Sequence, residues 1–149
     1  MSLEVFSARL KELMQEEKTS ARKLAKTLNL QRKSVFLWLN GKYYPKYDAL
    51  IKLADYFEVN VSYLLGITDK IAFVQKTGEK PSSQEIFRAR LTGYMTEKGV
   101  TAYKMSKRLG IGQTVFKRWL IKGAMPETAN LIKLALVMDE SVEYLLGLE

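Results

Sequence analysis

Shifted by 81 positions, the chain overlays itself without a gap: Glu4 to Thr68 falls on Glu85 to Glu149, and 24 of the 65 paired residues are identical. The identities gather in short blocks, Ala-Arg-Leu (8–10, 89–91), Trp-Leu (38–39, 119–120), Leu-Ile-Lys-Leu-Ala (50–54, 131–135) and Tyr-Leu-Leu-Gly (63–66, 144–147). Stacking repeats of roughly 20–50 residues bury their apolar faces only against neighbours, so a much longer period implies that each copy closes its own core. Two domains are expected, over residues 1–68 and 84–149, joined by a linker at 69–83. Units of this size fold alone when they are compact and helical, and an apolar content of 47% permits it.

The chain has no cysteine and no histidine. Disulfides, thiolate nucleophiles, imidazole acid–base groups and the usual zinc sets are thereby excluded. Glycine-rich phosphate cradles and paired carboxylates off ordinary helix surfaces are also lacking, so neither an enzyme nor a cofactor is expected. Apolar runs reach five residues, as at Val35 to Leu39, far short of a membrane span. With no signal-like start, a cytoplasmic protein is expected.

Charge is segregated. Lys18 to Tyr47 contains no acid and carries +8, Lys98 to Pro126 contains none and carries +7, and the remainder sums to −7. Basic side chains collected on one surface release condensed counterions from a polyanion, which favours a nucleic-acid partner. A solvated basic face is the alternative, and the recurrence in both copies weighs against it.

Periodicity gives five helices per copy. Leu3, Phe6, Leu10, Leu13 and Met14 mark a first amphipathic helix. Ser20 and Thr101 are N-cap types ahead of a short second helix, which Asn29 and Gly110 end as residues tolerant of the left-handed conformation. Val35, Trp38 and Leu39, or Phe116, Trp119 and Leu120, mark a third helix, closed by Asn40-Gly41 or by Gly123. After Pro45 and Pro126 comes a helix bearing Leu50, Ile51, Leu53, Ala54 and Phe57, or Leu131, Ile132, Leu134, Ala135 and Met138. A last turn, 61–65 and 142–146, stops at Gly66 and Gly147. Ser82 and Glu85 have the spacing of a capping box. The linker would hold 71–74 docked and 76–81 mobile. Fifteen such residues span at most roughly 50 Å, beyond the ~34 Å between half-sites one turn apart.

Two short helices around a tight turn, then Asn40-Gly41-Lys42, Pro45, Leu50 to Ala54 and Tyr63-Leu64-Leu65-Gly66, resemble the phage-repressor (Cro/C1, Xre) helix-turn-helix family. The resemblance extends over both copies. It implies an all-α chain of two tandem five-helix, lambda-repressor-like domains, acting as a sequence-specific DNA-binding transcriptional regulator on double-stranded DNA. It further implies that the third helix enters the major groove. Gln31, Arg32, Lys33, Phe36 and Leu37 then match base-reading positions, with Ser20, Asn40 and Lys42 toward phosphate. In the second copy Gln113, Thr114, Lys117 and Arg118 face bases, the Gly112 position having no side chain, and Thr101 and Lys122 face phosphate. Arg32 and Arg118 suit guanine, and Gln113 suits adenine.

Several residues depart from the family's pattern. Ala21 and Ala102 replace a frequent phosphate-bracing Gln. Met14 with Leu39, and Met95 with Leu120, stand where relatives often have an ion pair, an exchange that can be neutral when volumes match. In Ile121-Lys122-Gly123 the glycine moves by one residue, which changes the loop expected to grip phosphate. Phe36 and Leu37 are expected to be exposed, touching either thymine methyls or a protein surface. Tyr43, Tyr44 and Tyr47 either donate to phosphates or pack in the loop. Leu136, in place of Asp55, suits either an interface, including a homodimer, or the core. From 31–37 against 112–118 no residue is shared, so the two copies are expected to read different bases.

Overall fold

The computed structural model describes residues 3–71 and 83–148, and all regular structure among them is α-helical. The linker segment 72–81 and the Ser82 half of the capping box lie outside the described residues. The chain divides into two compact units, residues 1–76 and 77–149.

The first unit holds α1 (Leu3–Glu16), α2 (Ala21–Leu28), α3 (Arg32–Leu39), α4 (Tyr47–Phe57) and α5 (Val61–Leu64). Phe6, Leu10, Leu13 and Met14 recur at steps of three and four, so α1 buries one face and leaves Glu4, Lys11, Glu12 and Glu16 in water. The Ser20 hydroxyl accepts from the Lys23 amide at 3.1 Å and satisfies one of the open donors at the start of α2. Asn29 ends that helix at φ 56°, and the Leu30 N–H closes back on the Ala25 carbonyl at 2.8 Å. This six-to-one closure makes the turn between α2 and α3 tight. Val35 and Trp38 are the buried residues of α3, while Leu50, Ile51, Leu53, Ala54 and Phe57 carry α4 through the core.

The second unit repeats this course with α6 (Ser83–Lys98), α7 (Ala102–Leu109), α8 (Gln113–Ile121), α9 (Thr128–Met138) and α10 (Val142–Leu146). Thr101 caps α7 through the Lys104 amide at 3.2 Å, and Gly110 ends it at φ 69°. Phe116 takes the place of Val35 and is fully buried, with Trp119 tilted against it at 5.4 Å.

First and last helices are tied by the same side chains in both units. The Arg9 guanidinium lies 3.9 Å above the Tyr63 ring and donates to the Tyr63 carbonyl at 2.6 Å. Arg90 lies 4.1 Å above the Tyr144 ring and donates to the Tyr144 carbonyl. Stacking and hydrogen bonding from one planar cation fix α1 on α5 and α6 on α10. Beside this clamp, Gly66 and Gly147 turn at φ 79° and 77°. A Cβ on Gly66 would overlap Val5 Cγ1, and one on Gly147 would come within 2.6 Å of Ile86 Cδ1.

Candidate nucleic-acid interface

Burial of Val35 and Trp38 fixes which side of α3 faces water, since successive residues advance about 100° around a helix. Arg32, Lys33 and Phe36 lie on one outward face, all exposed, and Phe36 retains 48% of its surface. Gln31 precedes them with an extended backbone and makes no capping bond. Leu37 does not join this face. Expected to be exposed with Phe36, it is half-buried: it lies on the other flank of the outward face, where neighbouring chain covers part of it.

On α8 Gln113, Thr114, Lys117 and Arg118 are exposed, together with the apolar Val115 and Ile121. Arg118 occupies the position of Leu37, and its longer side chain brings charge to the surface from that flank. The displaced glycine lengthens the helix. α8 has nine residues against eight in α3, Gly123 takes the left-handed turn at φ 69° as Gly41 does at 68°, and α9 starts back in register with α4. The loop to proline is therefore one residue shorter, and Ile121, 70% exposed, stands where the first unit has Asn40.

Ser20 and Thr101 are exposed. Each hydroxyl accepts a backbone N–H and keeps its own hydrogen to donate, so capping and phosphate contact are compatible. Asn40, Lys42 and Lys122 are also exposed around the carboxyl ends of α3 and α8. Tyr44 packs on Phe6 with ring centroids 5.7 Å apart, Tyr43 is exposed and Tyr47 begins α4. Burial pushes the Tyr44 phenol above its ordinary value. Leu136 is 68% exposed, which removes the core alternative for it. Met95 and Leu120 are both half-buried and line one surface depression beside Thr101.

Residues 10–64 match the family model described as helix-turn-helix. This segment is a helix-turn-helix domain. Its family is one of DNA-binding transcription regulators of Cro/C1 type, not typically enzymes. No curated protein and no solved structure matches the chain. No described helix is long and apolar enough to cross a membrane.

Two contacts beside the third helices, one in each unit, were not legible in the sequence. The buried Ser7 hydroxyl donates to the Trp38 carbonyl at 2.5 Å and pins the end of α3 to α1. In the second unit that position is Arg88, whose Nη2 lies 2.8 Å from where a Cβ on Gly123 would stand. Its Nε is buried without a hydrogen-bond partner. The exchange of Ser7 for Arg88 was visible in the repeat, but its location beneath the loop was not.

Proposed function

We propose that the chain is a sequence-specific DNA-binding transcriptional regulator made of two tandem five-helix, lambda-repressor-like helix-turn-helix domains with unequal specificities. The domains span 1–68 and 84–149, with a linker at 69–83. The observation that carries this reading is the charge at the amino ends of α2 and α3. Arg22, Lys23, Arg32 and Lys33 are exposed there, and neither first turn contains an acid. A cation at a helix amino terminus opposes the macrodipole, typically by about 0.3–1 kcal/mol. A bound phosphate backbone reverses the sign of that interaction, so the arrangement favours an anionic partner. The second unit has the same bias, with Lys104 in the first turn of α7 and acid-free first turns in α7 and α8.

On this reading α3 enters the major groove and Gln31, Arg32, Lys33 and Phe36 meet base edges, with Leu37 at the margin. Gln113, Thr114, Lys117 and Arg118 do so from α8. Ser20, Asn40, Lys42, Thr101 and Lys122 hold phosphates and set register without reading sequence. Arg32 and Arg118 each take a guanine, worth about 1–3 kcal/mol of discrimination. Unlike residues on equivalent positions call for a composite, asymmetric site.

The test is a duplex titration at rising salt followed by a randomised-site selection. Log affinity should fall linearly with log salt. Arg32→Ala and Arg118→Ala should relax preference at different bases. A flat salt response, or unchanged preference in both variants, overturns the proposal. Exposure of Leu136 favours a second reading for the second unit, a protein contact or homodimer through α9. Leu136→Asp restores the residue of the first unit, and it should abolish any concentration-dependent association seen by sedimentation.

A further inference from the structure

Phe36 keeps 48% of its surface exposed. Leaving a ring outside forgoes the stabilisation its burial would give. The fold does not demand an apolar residue there, because the equivalent position on α8 is the exposed Lys117. Arg32 lies one helical turn before Phe36 on the same face, with Lys33 beside it. No acid occurs from Lys18 to Tyr47 to pair with these cations. The occupant of this face must therefore offer an apolar group within an anionic surround and accept hydrogen bonds next to it.

A base step in the major groove has that composition. Guanine presents O6 and N7 to an arginine fork, and the C5-methyl of thymine is the apolar group of the groove. 5-Methylcytosine carries the same methyl on the same ring carbon. Residues four apart on a helix have Cβ atoms about 5–6 Å apart, and bases along a strand are separated by about 3.4 Å, so the two side chains bear on neighbouring pairs. Resting on the DNA-binding reading above, we propose that the first unit recognises a guanine flanked by a 5-methylpyrimidine, Arg32 taking the guanine and Phe36 the methyl group. The second unit, with Gln113 and Lys117 at these positions, lacks both halves of the device.

The experiment uses the full chain and the duplex obtained by site selection. Arg32→Ala first locates the guanine, as the base whose preference relaxes. On each flanking pair, thymine is then replaced by deoxyuridine, or cytosine by 5-methylcytosine, so that only the methyl group changes. At one flanking pair, affinity should change about 4-fold, the worth of one buried methyl, falling when the methyl is removed and rising when it is added. Thymine and 5-methylcytosine at that pair distinguish the two methyl sources. Phe36→Ala should abolish the sensitivity and Phe36→Leu should keep part of it, with helix content followed by circular dichroism. Salt-dependent duplex binding without methyl sensitivity, or full sensitivity in Phe36→Ala, overturns this inference alone. So does the absence of any guanine that depends on Arg32. No duplex binding at low salt overturns the DNA reading with it.

Discussion

Arg9 and Arg90 hold the same place in their units and make the same contact, whereas Ser7 and Arg88, equivalent positions two residues earlier on the same helices, make different ones. The arginines stack on Tyr63 and Tyr144 and close the first helix on the last. Ser7 ties α1 to the end of α3 by a hydrogen bond, and Arg88 instead brings a guanidinium beneath the turn that follows α8. Divergence between the copies therefore reaches below the solvent-facing edge of the third helix, into the contacts that support it. The closure between first and last helices is kept, and the support of the loop after the third helix is rebuilt with one helical residue more.

The largest expected effect tests whether the closure is the same in both units. Gly66→Ala combines a left-handed backbone, about 1–2 kcal/mol, with overlap on a stiff Val5 side chain, about 1–3 kcal/mol. A loss near 3 kcal/mol is expected in urea unfolding followed by circular dichroism. Gly147→Ala should cost somewhat less, because the nearest atom is the terminal Ile86 Cδ1, which can rotate away. Gly110→Ala isolates the backbone part, since nothing lies within 4 Å of its Cβ position. Equal losses at all three sites would remove the steric half of the argument.

Next in size is the clamp itself. Arg9→Ala and Arg90→Ala should each cost about 2 kcal/mol, the range of a desolvated cation–π pair with a charged hydrogen bond. Lysine should rescue poorly at either site, because an ammonium cannot stack flat and donate sideways at once. The Arg9–Asp69 ion pair at 3.2 Å adds little, since the Asp69 side chain is 98% exposed. Asp69→Ala should fall within about 0.5 kcal/mol of the parent. A larger cost there would mean that the first unit's clamp differs in kind from the second's.

Smaller again is the contrast at Ser7 and Arg88. Ser7→Ala should lose about 1 kcal/mol, the net worth of one buried hydrogen bond. The Trp38 carbonyl still accepts from the Gly41 N–H at 3.2 Å, which limits the damage. Arg88→Met removes a buried, unpartnered Nε and should leave the second unit as stable or more so. Destabilisation by Arg88→Met comparable with that of Ser7→Ala would show that the arginine supports its loop as the serine does.

Helix positions were legible because local chemistry sets them. Ser20 and Thr101 cap where an N-cap type precedes an amphipathic run, and Asn29, Gly110 and Gly147 stop helices by left-handed turns. The outward set Arg32, Lys33 and Phe36 was legible too, since period fixes the face opposite Val35 and Trp38. Leu37 was not, because the width of a buried stripe depends on how closely neighbouring helices approach, and periodicity carries no such distance. Glu58 and Asp139 end α4 and α9 at φ 55° and 54°. Glutamate has no preference for a left-handed stop and aspartate only a modest one, and the turns are closed by the Val59 N–H on the Ala54 carbonyl and the Glu140 N–H on the Ala135 carbonyl. The Arg9–Tyr63 stack joins residues 54 apart, visible in the sequence only as two blocks of identity with nothing to connect them.

The smallest effect concerns a phenol that one unit has and the other lacks. Tyr44 sits against Phe6, and burial raises its ionisation above the ordinary phenol value, while the equivalent residue in the second unit is Met125. The folded state holds this proton more tightly than the unfolded chain. Its contribution is therefore complete below the unfolded value of about 10 and is lost as pH rises through the higher folded one. Trp38 reports on the first unit and Trp119 on the second, so Trp→Phe variants retaining one indole separate the two alkaline transitions by fluorescence. Tyr44→Phe should blunt the alkaline loss seen through Trp38 and leave the Trp119 signal alone. If both signals fall together and neither responds to Tyr44→Phe, the half-buried phenol is no part of what distinguishes the two units.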